Sequence, residues 1–392
     1  MISSNQGGQE MHYYIHAAKF ILASGLSEQG FLEIIEGKFG KYTKTRPVDT
    51  RIVDLGESIV APGLVDTHIH GYNNHDVMDN DFTGLNEISK GLLSCGVTAF
   101  LPTTLTAGAD TLNEICKMIS SRYKEVKGAR IKGIFFEGPF FTTEHKGAQN
   151  PRFMSDPSLT AFRRWQDSAQ GLLKKIALAP ERHGAADFIE NVSGSGTKVA
   201  IGHSSATYEE ALEAVYAGAN IFVHTFNGMS GLNHHAPGMV GAAMDTPNTY
   251  AELICDGHHV ESGAANLLIQ EKGIDHVALV TDCMSAGGRR AGEYVLGEFP
   301  VIVKDGAARL KDGGSLAGSV LKLLQAVQNL VQWGRVSLYD AFKMASYVPA
   351  VSVGIEDECG LIAAGREADF IVVDENINLQ STYLAGKEVY SK

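Results

Sequence analysis

A chain of 392 residues, 44% hydrophobic and 20% charged, has the composition of a soluble globular protein and is long enough for one large domain or two. A net charge of −12 with no basic run excludes nucleic acid and anionic membrane surfaces as expected partners. No stretch approaches the ~20 apolar residues of a membrane span. The polar start MISSNQGGQE offers no signal-peptide core, so a cytoplasmic location is expected. Cys95, Cys116, Cys255, Cys283 and Cys359 are widely spaced, form no Cys-x-x-Cys pair, and read as reduced core residues.

Residues 11–60 hold short β-rich runs separated by turn signals, among them YYIHAAKFILAS and GFLEIIEGKFGKY. Similar material returns in residues 355–392. The two ends predict a small β-sandwich domain assembled from both termini. In residues 61–354, short apolar runs alternate with helical segments. Strands are expected at 64–68, 97–102, 133–137, 176–180, 198–203, 220–224, 251–255 and 277–282. The helical stretch TYEEALEAVYAG opens with Thr207 three residues before Glu210, a capping-box start, and closes at Gly218. Eight strand–helix units predict an α/β fold, a (β/α)8 TIM-like barrel.

Within PGLVDTHIHG, the two-residue period of a strand sends His68 and His70 to the same side. Polar residues close four further strands: Glu137, His203, His224 and Asp282. A barrel gathers its C-terminal strand ends at one mouth, where active sites are built. One strand-terminal histidine is more often structural than a ligand. Five such termini with ligand chemistry point to a metal site. Imidazole and carboxylate donors suit Zn²⁺, Fe²⁺, Mn²⁺ or Co²⁺, and no cysteine is placed to join them.

Ten stretches carry a resemblance: APGLVDTHIHG, FLPTTLT, FFEGPFF with KGA, ALAPE, IGHSSATYEEALEAVYAGA, VHTFNGMSGLNHHAPGMVGAAM, LICDGHHV, LVTDCMSAGG, LAGS and ASYVPAVSVGI with ADFIVVD. Their content and order resemble the amidohydrolase superfamily and, within it, the N-acetylglucosamine-6-phosphate deacetylases. That resemblance implies removal of the acetyl group to give glucosamine 6-phosphate and acetate. It implies one or two divalent ions, Zn²⁺ first, a small amino-sugar phosphate as partner, and a homodimer with the phosphate pocket near the subunit interface. By resemblance Glu137, His203 and His224 ligate the main metal, and His68 and His70 a second one. Asp282 resembles the catalytic aspartate and stands with the metal ligands. His259 resembles the group that meets the substrate carbonyl. Asn227, Gly228, Ala148, His235 and the LAGS residues Leu316, Ala317 and Gly318 resemble substrate-binding positions.

Two positions depart from the family pattern. His235 in HHAPG stands where members commonly carry arginine, and Gln149 in KGAQ where they commonly carry histidine. The resemblance associates both with the phosphate end of the substrate. Arginine grips phosphate bidentately, whereas neutral histidine offers one hydrogen bond, so His234, His235, Lys146 or Arg152 would have to compensate. Three rival readings remain. A cyclic-amide hydrolase would use a carboxylated lysine on the fourth strand, but Lys174 and Lys175 fall at that strand's start, away from the mouth. A metal-free scaffold would have lost ligands, and none is lost. A third keeps deacetylation but changes the sugar, to N-acetylgalactosamine 6-phosphate or an unphosphorylated N-acetyl sugar.

Overall fold

In a computed structural model, residues 12–392 are described; MISSNQGGQE and residue 11, the first of the expected N-terminal β segment, lie outside them. Strand His12–Ala17 buries alternate residues, Tyr13, Ile15 and Ala17, as a half-covered strand must. It lies inside a four-stranded sheet whose order is Lys38–Thr43, Gly30–Ile35, His12–Ala17, Ile52–Asp54. A six-stranded sheet mixes the two ends of the chain. Phe370–Val373 runs antiparallel to Ile59–Pro62, with Leu379–Leu384 and Lys387–Ser391 outside it. Phe20, Leu32, Ile34, Phe39, Phe370 and Tyr383 pack between these sheets in one buried cluster. Strand Ile59–Pro62 passes through Gly63 straight into the barrel.

The eight barrel strands are β1 (Leu64–Ile69), β2 (Val97–Thr104), β3 (Ile134–Phe140), β4 (Leu173–Leu178), β5 (Lys198–Ile201), β6 (Ile221–Phe222), β7 (Tyr250–Leu253) and β8 (Val277–Leu279). Neighbours pair in parallel and in chain order from β1 to β8. The sheet closes on itself just beyond β8, where Asp282 donates its N–H to the His68 carbonyl at 2.9 Å and His70 donates to Cys283 at 2.8 Å. The predicted TIM-like barrel with terminal β layers is therefore the observed fold, and each expected strand is present. Helices α1 (Phe82–Leu93), α2 (Ala109–Arg122), α3 (Leu159–Ser168), α4 (Ala185–Ser193), α5 (Tyr208–Tyr216), α6 (Gly238–Asp245), α7 (Ser262–Lys272) and α8 (Leu323–Gln332) follow the strands. The predicted capping box starts α5: Thr207 accepts from the Glu210 N–H while Glu210 accepts from that of Thr207.

Between β8 and α8 the chain inserts an antiparallel three-stranded sheet, Gly292–Leu296, Phe299–Lys304 and Ala307–Leu310, that no sequence expectation covered. Its second turn is Asp305–Gly306, both with positive φ, the pair a tight hairpin requires. That dipeptide was the available signal. The insert places Leu296, Leu310 and the following Leu316–Gly318 segment over the barrel mouth.

Candidate metal centre

Inside the barrel, alternation turns Asp66 and His68 of β1, His70 one residue past its end, Glu137 of β3 and Glu252 of β7 inward, all buried. The remaining expected ligands sit just past their strands rather than in them. His203, His224 and Asp282 follow β5, β6 and β8 by two or three residues and have φ of 47°, 30° and 50°. Left-handed backbone is costly for a non-glycine residue, of order 1–3 kcal/mol each. Here it bends each strand end so that the side chain turns back toward the barrel axis.

The side chains converge on Glu137. Its Oε1 lies 3.2 Å from Nε2 of both His203 and His224 and 3.3 Å from Nε2 of His68. Its Oε2 lies 3.3 Å from Nε2 of His70. Asp282 Oδ1 is 3.1 Å from His70 Nε2 and 3.4 Å from His68 Nε2. Two overlapping sets result, Glu137–His203–His224 and His68–His70–Asp282, and within each set the ligand atoms lie within 4.8 Å of one another.

Whether these residues fit a metal is decided by their other nitrogens. His70 Nδ1 faces the Thr103 carbonyl at 3.2 Å, His203 Nδ1 that of His145 at 2.7 Å, and His224 Nδ1 that of Asn227 at 3.0 Å. His68 Nδ1 faces Glu252 Oε2 at 3.0 Å. Each acceptor demands a proton on Nδ1, which leaves the neutral ring's lone pair on Nε2, aimed at the cluster. The Nε2 atoms of His203 and His224 are 3.1 Å apart, and buried His68 Nε2 makes no hydrogen bond. Lone pairs facing one another in a buried site are stable only around a cation, so the donor set fits divalent metal. Without an ion, burial pushes the Glu137 carboxyl upward, but positive charge on His68 and hydrogen bonds from His203 and His224 outweigh it and hold it well below the usual range. Asp282 is likewise lowered: burial opposes, and His68 and His70 prevail.

Gln149 lines the same mouth, and its buried amide donates to Glu137 Oε2 and accepts from the Thr106 N–H at 2.7 Å. It orients the ligand carboxylate. Lys175, expected at the start of its strand, begins low on β4 and sends its buried Nζ inside the barrel to Glu252, over the Phe135 ring. Neither Glu252 nor this pairing was foreseen, because AELIC reads as an apolar strand with one odd carboxylate and nothing in it announces an inward partner.

A cleft of about 580 Å³ opens on the cluster and is lined by His70, Glu137, His203, His224, His259 and Asp282. Its outer wall brings in Lys146, Ala148, Asn227, Gly228, Leu316, Ala317 and Gly318. His259 is fixed by Asp256, whose carboxylate accepts from Nδ1 at 2.7 Å. Exposed His235 lies against His234, ring centroids 3.9 Å apart and tilted by 42°, on a loop that does not line this cleft; Arg152 does not line it either.

A (β/α)8 barrel whose C-terminal mouth gathers histidines around a glutamate defines a metal-dependent hydrolase. Residues 59–389 match the model of the amidohydrolase family, and the chain belongs to that family. It is 37% identical over 366 residues to the N-acetylglucosamine-6-phosphate deacetylase of Vibrio furnissii, covering 93% of this chain and 90% of the relative. It is 32% identical to the N-acetylgalactosamine-6-phosphate deacetylase of Escherichia coli O157:H7, covering 96% and 99%. Among solved structures it superposes with a TM-score of 0.91 at 28% identity on a Mycobacterium smegmatis N-acetyl-D-glucosamine-6-phosphate deacetylase variant in complex with N-acetyl-D-glucosamine-6-phosphate, covering 97% of this chain and 100% of that one. Among the described residues, no helix is long and apolar enough to cross a membrane.

Proposed function

We propose that this chain hydrolyses the acetamide of N-acetylglucosamine 6-phosphate to glucosamine 6-phosphate and acetate. One observation carries the reading: His70 and Asp282 of one ligand set, the whole of the other, and His259 line a single cleft in a chain that covers its deacetylase relatives nearly end to end. Glu137, His203 and His224 would hold the main ion, with Zn²⁺ proposed first, and His68, His70 and Asp282 would hold a second. A divalent ion, when bound, supplies Lewis acidity that polarises the acetyl carbonyl and acidifies the attacking water from a pKa of about 15.7 toward about 7.

The chain's own residues do the rest. Asp282, at the mouth, takes a proton from the attacking water as the new C–O bond forms. It returns that proton to the amine nitrogen as the C–N bond breaks, so that the amino sugar leaves neutral at nitrogen. His259, held at Nδ1 by ionised Asp256, directs Nε2 toward the acetyl oxygen; to share the charge that builds there both ring nitrogens must carry protons, with Asp256 as counter-ion. Lys146 supplies a cation on the cleft wall. The exposed His234–His235 loop would meet the phosphate only across an interface between two copies, which is why a homodimer belongs to this proposal. A supporting domain of residues 11–60 with 355–392, packed on a catalytic barrel of 61–354, belongs to it as well.

The 32% identity to an N-acetylgalactosamine-6-phosphate deacetylase supports that epimer as the second reading. The test is a deacetylation screen of the gluco and galacto sugars, each with and without the 6-phosphate, on metal-analysed protein. The gluco phosphate should give the highest kcat/KM. Equal turnover of the unphosphorylated sugars would remove the phosphate from the proposal, and no acetate from any of the four on metal-loaded enzyme would remove the activity.

A further inference from the structure

Beneath the metal cluster lies a charge pair that the proposed chemistry leaves unused. Lys175 is fully buried and Glu252 nearly so, at 0% and 1% exposure, and they form an ion pair inside the barrel. Removing two charges from water is costly, and an apolar pair of similar volume is often as stable or more so. What the pair touches supplies a reason for it. Glu252 Oε2 accepts from His68 Nδ1 at 3.0 Å and lies 3.3 Å from the backbone N–H of His224. The Glu252 carbonyl also accepts from the Thr225 N–H at 2.8 Å. One carboxylate thus contacts a member of each ligand set, and β7 braces the strained turn that carries His224.

We propose that Glu252 is a positioning residue for the metal centre: it fixes His68 in the tautomer whose Nε2 is free to ligate, with Lys175 holding Glu252 in place. The alternative tautomer would put a proton on Nε2, aim it at Glu137 and Asp282, and remove His68 from the ligand set. His70, His203 and His224 are fixed by backbone carbonyls, which no side-chain substitution can remove. His68 is the one of the four whose orientation depends on another side chain, so the device is specific to the His68 side. The inference rests on the proposed role of His68 as a ligand. That role fails by itself if His68→Ala leaves the metal content of the purified enzyme unchanged.

The experiment compares metal binding and ring protonation, not turnover alone. Removing one partner strands a buried charge, so both are replaced: Lys175→Met with Glu252→Leu, and Lys175→Met with Glu252→Gln. The leucine double variant should bind the ion on the His68 side 10–100-fold more weakly, by competition with a chelator of known affinity, while ion binding through Glu137, His203 and His224 changes less. The glutamine double variant keeps an acceptor oxygen for His68 Nδ1 and should recover most of the loss. A folded leucine double variant that binds both ions as wild type does overturns the proposal. Should that variant not fold, histidine-labelled wild-type holoenzyme decides. Nitrogen-15 spectra, assigned with His68→Gln, should show His68 protonated at Nδ1 and not at Nε2. A proton on Nε2 overturns the proposal.

Discussion

Asp282 contributes to the site twice: its side chain faces His68 and His70, and its backbone N–H closes the barrel on His68. Asp282→Asn keeps the shape and the backbone bond but cannot shuttle a proton. Turnover should fall about 10²–10⁴-fold while metal on Glu137, His203 and His224 persists, as measured by elemental analysis beside an acetate-release assay. Gln149 acts one step back. Gln149→Leu frees Glu137 to rotate, and the main ion should bind about 10–100-fold more weakly in a chelator competition. At the phosphate end, His235→Arg should lower KM for a phosphorylated substrate about tenfold, roughly 1.4 kcal/mol. Unchanged KM in both His235→Arg and His235→Ala would place that loop away from the phosphate. Much of this site is legible in the sequence, since the ligand residues stand next to apolar strands and their chemistry is distinctive. Gln149, Glu252 and Lys175 are not, because their meaning comes from what lies across the barrel, which linear spacing does not encode.

At the scale of elements, the short apolar runs and the capping box located the eight barrel strands and α5. They missed the three-stranded insert and where some strands stop. β5, β6 and β8 end two or three residues before His203, His224 and Asp282, because a single left-handed residue ends the ladder and no apolar pattern records it. A second unforeseen link joins α7 to the end of α6. Lys272, 4% exposed, donates from its ammonium to the Thr246 carbonyl and, at 2.7 Å, to Thr249 Oγ1. Burial lowers its pKa from 10.5 to about 8. Between those values the unfolded chain holds the proton more tightly than the folded one, so this group makes stability rise with pH from about 8 to about 10. Lys272→Met should flatten that part of a plot of Tm against pH. A variant whose profile parallels wild type would show that the ammonium is not desolvated.

For the molecule as a whole, the metal centre joins β1, β3, β5, β6 and β8, so an ion there ties together strands from across the barrel. A ligand bound only by the folded state stabilises it by RT ln(1 + [L]/Kd), about 2.7 kcal/mol at a hundredfold excess over Kd. Chelation should therefore lower Tm by a few degrees, and readdition of Zn²⁺ should restore it, as followed by calorimetry. A Tm indifferent to both would mean that no ion bridges the strands.

The closure between β8 and β1 also dictates how the chain can be made. Asp66 meets its hydrogen-bond partner Thr281 215 residues later, and Ile59–Pro62 must wait for Phe370–Val373. As the chain leaves the ribosome, β1 stays an open edge through most of synthesis, and the sheet beside it stays open until residues 370–373 are made. Exposed edges of this kind recruit other chains. Closure of the barrel is thus deferred past residue 282 and that of the terminal sheet past residue 370, which makes the nascent chain a natural client of holding chaperones. A ribosome that stalls short of residue 370 releases a polypeptide whose terminal sheet is unsealed, and one that stalls short of residue 277 leaves the barrel open as well.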